Sequence, residues 1–328
     1  MRDTQKPPAF MRTGGYIFEI LLFAFFFVTG YSPHVYKYYN GEKHKMVQIF
    51  GDSTSDLPQA LVKGNNITII PLYVTMGNFT GRDGLEVTPT DIFEWTAYSE
   101  EIPKTAAFSP EDAAKALMKA REAGDDVVFI GISEQMSSSC NSVRLGAQAI
   151  DYEDHVYVVD SKNLCSGIGM LLLYAAELAE AGESAAVIAE KSRALAERVR
   201  SSFIIDTLDF LAKGGRCSSA TAVVGNALKI KPRIIVKDGA MSVDKKYRGD
   251  QKVVAKHYVK DLKKELLAAD PRCVFLVRAG LPEEIFEEAV KTVTDLKHFE
   301  HILTAEAGAI ISSHCGPGTL GVFYVEKA

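Results

Sequence analysis

Met46-Val47-Gln48-Ile49-Phe50-Gly51-Asp52-Ser53-Thr54-Ser55-Asp56 is a short apolar, β-rich run that ends on a cluster of hydroxyls and carboxylates. In an open α/β sheet the ligand sits where strands end and helices begin. A polar cluster at that place is therefore either capping and turn chemistry for the next helix or part of a site. The same rhythm continues outward. Ile67 to Val74, Val127 to Ile132 and Val156 to Val159 read as further buried strands, with longer helical periods between them. That alternation predicts an α/β chain with a largely parallel sheet and flanking helices.

The helical signals are specific. Ser109-Pro110-Glu111-Asp112 supplies a cap, an N1 proline and first-turn acids for a helix that runs to Ala123 and stops at Gly124. Ser166 to Ala181 and Ser184 to Val199 are two more helical periods, parted by Gly182, and this pair marks the junction expected between an N-terminal α/β domain, 46–185, and a smaller C-terminal α/β domain, 186–328. In the second part Phe203 to Ile205 reads as a strand and Leu208 to Lys213 as a helix ended by Gly214-Gly215. A hairpin follows, turning on Asp238-Gly239, a pair that supplies the positive φ angles of a tight turn. Gln251 to Ala269 and Pro282 to Phe299 read as helices. Cys273 to Val277, Ile302 to Ala305 and Leu320 to Val325 read as strands.

Residues 1–45 differ in style. They carry 6 Lys/Arg against 3 Asp/Glu and 11 of the 31 aromatics, so the remainder of the chain holds 31 bases, 39 acids and a net charge of -8. The apolar run Ile20 to Val28 is too short to span a bilayer, which needs roughly 20 residues. With basic residues ahead of it, the segment reads as signal-like, as an upstream stretch from a mis-started reading frame, or as a structural helix. Over all 328 residues the net charge is -5 and no basic cluster occurs, which argues against a nucleic-acid groove. Five cysteines, odd in number and without C-x-x-C, fit reduced thiols in a cytoplasmic protein. A membrane-associated or exported location follows instead if residues 1–45 act as a signal.

Four loops gather polar groups: Asp52 to Asp56, Thr105 to Pro110, Ser133 to Ser142 with its five serines, and Ser312 to Thr319 around a Gly-Pro-Gly turn. A helix start with several hydroxyls is a receptor for a carboxylate or phosphate. His314 is expected in the tight loop of the last cluster, where an imidazole donates to an anion without needing room for a long side chain. There is no phosphate-binding loop, no dinucleotide fingerprint, no nucleophile elbow and no metal-ligand spacing, so neither cofactor nor metal is expected. Gly167-x-Gly169 reads as a place where a helix packs closely on a sheet.

Together these stretches resemble the DegV family of bacterial fatty-acid-binding proteins. The resemblance runs from Met46 to Val325 and rests on D-S-T-S-D-L-P (Asp52 to Pro58), V-V-D-S (Val158 to Ser161), L-x-x-L-x-x-G-G-R (Leu208 to Arg216), L-K-I-K-P (Leu228 to Pro232) and H-x-G-P-G-x-L-G (His314 to Gly321). It implies a two-domain fold enclosing one long-chain fatty acid in an apolar tunnel, the carboxylate held at the inter-domain cleft by Thr105, Ser137 and His314. It further implies a partner, a separate ATP-dependent fatty-acid kinase that Arg216 would face, an acyl phosphate carried afterwards, and only transient membrane contact. Three positions depart from the family pattern: Thr105 is followed by Ala106-Ala107, Ser138 stands where the family has glycine, and Arg278 replaces a histidine before Ala279-Gly280. The competing readings are a serine hydrolase or acyltransferase using Ser137, His314 and an acid such as Asp160, and a binder of some other amphiphile.

Overall fold

The computed structural model describes residues 46–217 and 230–328, with short backbone segments at Tyr38–Tyr39 and Glu42–Lys43. The expectations for residues 1–45 and for Leu228 and Lys229 lie outside the described residues. The first part runs β1 (Val47–Asp52), α1 (Gln59–Gly64), β2 (Ile67–Ile70), β3 (Tyr73–Met76), β4 (Phe79–Arg82), α2 (Pro89–Ser99), β5 (Lys104–Ala106), α3 (Pro110–Ala123), β6 (Asp126–Gly131), α4 (Ser139–Gln148), β7 (Val156–Asp160), α5 (Ser166–Glu180) and α6 (Ala185–Ala196). Four of these strands form a parallel sheet in the order β2-β1-β6-β7. Both of its faces are buried, as parallel sheets require. Ile49, Val128, Ile130 and Val159 pack with α5 and α6, while Phe50, Val127 and Phe129 pack with α3 and α4.

The cap expected at Ser109 is present in full: the Asp112 amide donates to the Ser109 hydroxyl, and the Ser109 amide donates to the Asp112 carboxylate. Thr88 and Asp91 repeat the arrangement at α2, a helix the sequence reading did not anticipate. The single strand expected over Ile67 to Val74 is two. Pro71, which has no amide proton to donate to a ladder, stands between β2 and β3, and β3 pairs instead in a three-stranded antiparallel sheet, β4-β3-β5. The helix expected to reach Val199 ends at Ala196, and Val199 opens the next strand.

The second part runs β8 (Val199–Ile204), α7 (Asp209–Gly214), β9 (Ile230–Lys237), β10 (Ala240–Arg248), α8 (Gln251–Asp261), α9 (Lys263–Ala268), β11 (Ala269–Ala279), α10 (Glu283–Thr294), β12 (His301–Glu306), α11 (Ala309–Cys315) and β13 (Thr319–Glu326). The helix expected over Gln251 to Ala269 is thus broken at Leu262, and the one from Pro282 stops at Thr294. Six strands form a mixed sheet, β10-β9-β8-β13-β11-β12, in which β11 and β12 are parallel and the other pairs antiparallel. Lys237 pairs with Ala240, leaving Asp238 (φ 51°) and Gly239 (φ 82°) as the two-residue turn that the Asp-Gly pair predicts. Among the described residues no helix is long and apolar enough to cross a membrane.

The two large sheets share one apolar layer. Phe203, Phe275, Val277 and Phe323 on one face of the mixed sheet join the cluster of α5 and α6, and the alternate residues Ile204, Val274, Leu276 and Val322 pack under α8 to α10. Gly167, at the start of α5, makes the approach possible. A Cβ there would fall inside contact distance of Asn163 Oδ1 and 2.9 Å from Ser201 Oγ on β8. Neither neighbour can yield freely, because Asn163 Oδ1 accepts from both the Ser201 hydroxyl and the Leu164 amide. Gly167→Ala therefore gains a little helix propensity but loses more to overpacking, for a net destabilisation of about 1–3 kcal/mol. Urea unfolding of the variant and wild type checks this, with a lower midpoint expected for the variant.

Candidate functional site

Between the sheets lies a narrow cavity that encloses about 80 Å³. Its walls are apolar, formed by residues such as Leu72, Ile132, Met136, Phe203, Ile310 and Phe323, with Thr105, Ser137, Arg216, Arg278, His314 and Thr319 as the polar exceptions. A mostly apolar enclosure with a few convergent polar groups is the form of a small-molecule site.

Thr105 and His314 form its polar centre. Thr105 sits on β5, opposite Val74 of β3. Its hydroxyl lies 2.8 Å from His314 Nε2. His314 is in the last turn of α11, not in a loop as expected; the loop is Gly316-Pro317-Gly318, whose glycines adopt φ of 72° and 80°. The imidazole packs on the backbone of Gly214, where any side chain would collide with Nδ1. Burial, and secondarily the charge of Arg216, lower the His314 pKa to about 4. The ring is therefore neutral at pH 7 and offers one N–H and one lone pair. Its Nδ1 is buried with no hydrogen-bond partner.

Ser137 lines the same cavity from the loop after β6, its hydroxyl 2.9 Å from that of Ser139. Other serines of that loop have structural work: Ser133 Oγ donates to the Gly239 carbonyl at 2.7 Å and so ties the loop to the β9–β10 turn. Arg216 is exposed at the cavity edge, with Nη1 donating to the Gly214 carbonyl at 2.7 Å. Arg278 pairs with Glu283 and lies over the Phe286 ring at 5.1 Å. A serine–histidine–aspartate relay is not what these bonds describe. His314 Nε2 meets Thr105, and Asp160 Oδ1 accepts the backbone amides of Lys162 and Glu134. Among the described residues no His, Cys, Asp or Glu group gathers as a metal site would require.

The carboxylates of the first polar cluster support the site from behind. Asp52 accepts the Ile132 amide at 2.9 Å and the Thr54 amide, joining the ends of β1 and β6. Asp56 accepts the Gly308 amide at 2.9 Å and Asp83 the Ala309 amide at 2.8 Å, so both hold the N-terminus of α11, the helix that carries His314. Sequence reasoning left Asp52 and Asp56 open between cap and site. It missed Asp83, which no motif in Arg82-Asp83-Gly84 announces.

The fold and cavity define a class: α/β proteins with an apolar-walled cavity between a parallel and a mixed sheet. The chain belongs to the DegV family, whose sequence profile, described as that of an uncharacterised protein, matches residues 46–327. A DegV domain-containing protein of Deinococcus radiodurans is 33% identical over 282 residues, covering 84% of this chain and 97% of that one. The structure of a DegV family protein from Thermus thermophilus, described by its fatty acid binding, superposes with a TM-score of 0.79 at 32% identity, over 86% of this chain and 100% of that one. A stearic acid-binding protein from Eubacterium ventriosum gives a TM-score of 0.75 at 27% identity, over 86% and 99% of the two chains.

Burial raises the pKa of Asp52 to about 6, that of Asp56 well above the ordinary carboxylate value, and that of Asp83 in the same direction; Asp83 also raises Asp56 by its charge. A carboxyl whose pKa is raised by folding costs stability where it is ionised in both states, and the cost fades as pH falls through the raised value. His314 acts oppositely, since its lowered pKa makes protonation favour the unfolded chain as pH falls below the ordinary histidine value. Asp83→Asn keeps an oxygen for the Ala309 amide and removes one charge. Its Tm is expected above wild type at pH 8, with the gain shrinking toward pH 5; an equal or lower Tm at pH 8 would show that the ionised form is the one the fold favours.

Proposed function

We propose that this protein binds one long-chain fatty acid with its acyl chain in the cavity, continued as a tunnel between the sheets, and its carboxylate at Thr105, Ser137 and His314. The observation that carries the reading is the Thr105–His314 pair set into a mostly apolar wall. A carboxylate taken out of water must be hydrogen-bonded or neutralised. A hydroxyl and a neutral imidazole supply hydrogen bonds there without being charged themselves. The described fatty-acid and stearic-acid binding of two solved relatives supports the same assignment. Mass spectrometry of lipid extracted from the purified protein is the first test, and a stoichiometric fatty acid is the expected result.

If the three residues share one carboxylate, removing any one leaves the others, so each loss is partial. Hydrogen bonds to a charged group are worth roughly 1.5–3 kcal/mol. Thr105→Val, Ser137→Ala and His314→Ala should each weaken a fatty acid by roughly 10- to 150-fold. A long-chain alcohol should lose far less, because its affinity comes from the apolar walls at about 0.8 kcal/mol per buried CH₂. Calorimetric titration with acid and alcohol separates the cases. Equal losses for both ligands would mean that the substitutions damage the cavity and that the three residues are not the head-group site.

The same reading makes the protein a carrier in the cytoplasm rather than an enzyme: it presents the carboxylate to a separate fatty-acid kinase, which transfers a phosphoryl group from ATP, and it then holds the acyl phosphate. Arg216, exposed beside the carboxylate position, is the residue placed to meet that kinase. Arg216→Ala should retain most of the bound lipid while acyl-phosphate formation by the kinase falls by about tenfold or more, the scale of one lost charged contact. Loss of lipid and of phosphorylation together would make Arg216 a part of the structure instead.

A further inference from the structure

A second apolar space lies on the same face of the mixed sheet. It encloses about 100 Å³, and Met170, Leu173 and Tyr174 of α5 face Cys273, Phe275 and Val325 of the sheet across it, with Glu177, Asp270, Arg272 and His301 also lining it. The cavity of Thr105 and His314 meets that sheet at Phe203, Val277, Gly321 and Phe323. Residues two apart on a strand share a face. Gly321, Phe323 and Val325 therefore form one row on β13, and Val277, Phe275 and Cys273 form the neighbouring row on β11. The register pairs Val277 with Gly321 and Phe275 with Phe323.

The two spaces are thus consecutive along one sheet face, and the Phe323–Phe275 pair stands between them. Phe323 is 2% exposed and Phe275 fully buried. The Phe323 ring leans back over Gly321, where an added Cβ would lie 2.8 Å from its Cε2. It leans, that is, toward the cavity that contains His314. Glycine at 321 leaves the room in which the ring lies.

We infer that Phe323 is the gate that sets the length of acyl chain this protein takes: a chain anchored at Thr105 and His314 runs along the β13 and β11 rows, ends at the Phe323 ring, and reaches the second space only when that ring is moved or removed. The inference rests on the fatty-acid reading above and adds to it a chain-length limit with a named residue.

The test is calorimetric titration of delipidated full-length protein with saturated fatty acids from lauric to behenic. Each further CH₂ that finds an apolar wall is worth about fourfold in affinity. Wild-type affinity should climb at about that rate and then level off at one chain length. In Phe323→Ala the climb should continue for several more carbons, so that the affinity ratio of arachidic to myristic acid rises by roughly tenfold or more. Adding Leu173→Trp, which refills the second space from its half-buried rim, should restore the wild-type plateau. If the alanine variant does not fold, Phe323→Leu should give a plateau between the two. An unchanged plateau in a folded variant, or a gain that Leu173→Trp does not cancel, would overturn the gate while leaving the fatty-acid reading intact. Wild-type protein that binds none of the acids would overturn both.

Discussion

One apolar layer holds this molecule together and also gives it its site. The face that β8, β13 and β11 turn toward α5 is packed by the same residues that close the parallel sheet, so neither sheet has a complete core without the other. Close approach is needed for that, and Gly167 supplies it at the start of α5. Where the layer is fully packed it is core. Where Phe203, Val277 and Phe323 fall short of the opposing loops, the same apolar surface becomes the wall of a cavity. The binding surface is therefore a part of the folding surface left incompletely filled, and changes in one are felt in the other.

Polar groups at the edge of such a layer have to be held without water. The protein handles this by backbone hydrogen bonding from two directions. Asp52 fixes the ends of β1 and β6 to each other, and Asp56 and Asp83 fix the first turn of α11. Helix N-termini favour negative charge. Burial and mutual repulsion work against it, which is why these carboxyls hold their protons more tightly than usual. At the other end of the same short helix His314 is kept neutral by its own burial. The helix is thus anchored at one end by acids and presents an uncharged imidazole at the other, so its position is set by groups that do not contact the cavity's polar centre.

Much of this could be read from the sequence. The β-rich run from Val47 with Asp52 to Asp56 behind it, the cap at Ser109, and the Asp238-Gly239 turn each encode local geometry in neighbouring residues, and local geometry is what one sequence displays. Pro71 was equally visible, yet its effect was not, because whether a proline ends a strand or merely sits at an edge depends on which sheet the next residues join. Asp83 was invisible for a related reason. Its partner, the Ala309 amide, is 226 positions away, and no spacing rule connects them. His314 was legible as a candidate but misplaced, since the Gly-Pro-Gly turn that drew attention to it begins two residues later.

The neutral character of the polar centre bears on how a ligand would be held and released. A lysine or arginine buried at that place would bind a carboxylate tightly, but it would also have to be desolvated, and it would resist the loss of its partner. A hydroxyl and an uncharged imidazole ask for less in the empty state, because the Thr105 hydroxyl and His314 Nε2 already pair at 2.8 Å and neither carries a charge to be desolvated. On the proposed reading a carboxylate would exchange that mutual bond for bonds to the anion, and the net gain would be the modest difference between two hydrogen-bonded states. The apolar walls would then contribute most of the affinity and the polar centre would fix the orientation. Such a division would suit a carrier better than a scavenger, since a head group held mainly by exchangeable hydrogen bonds would remain open to chemistry supplied from outside.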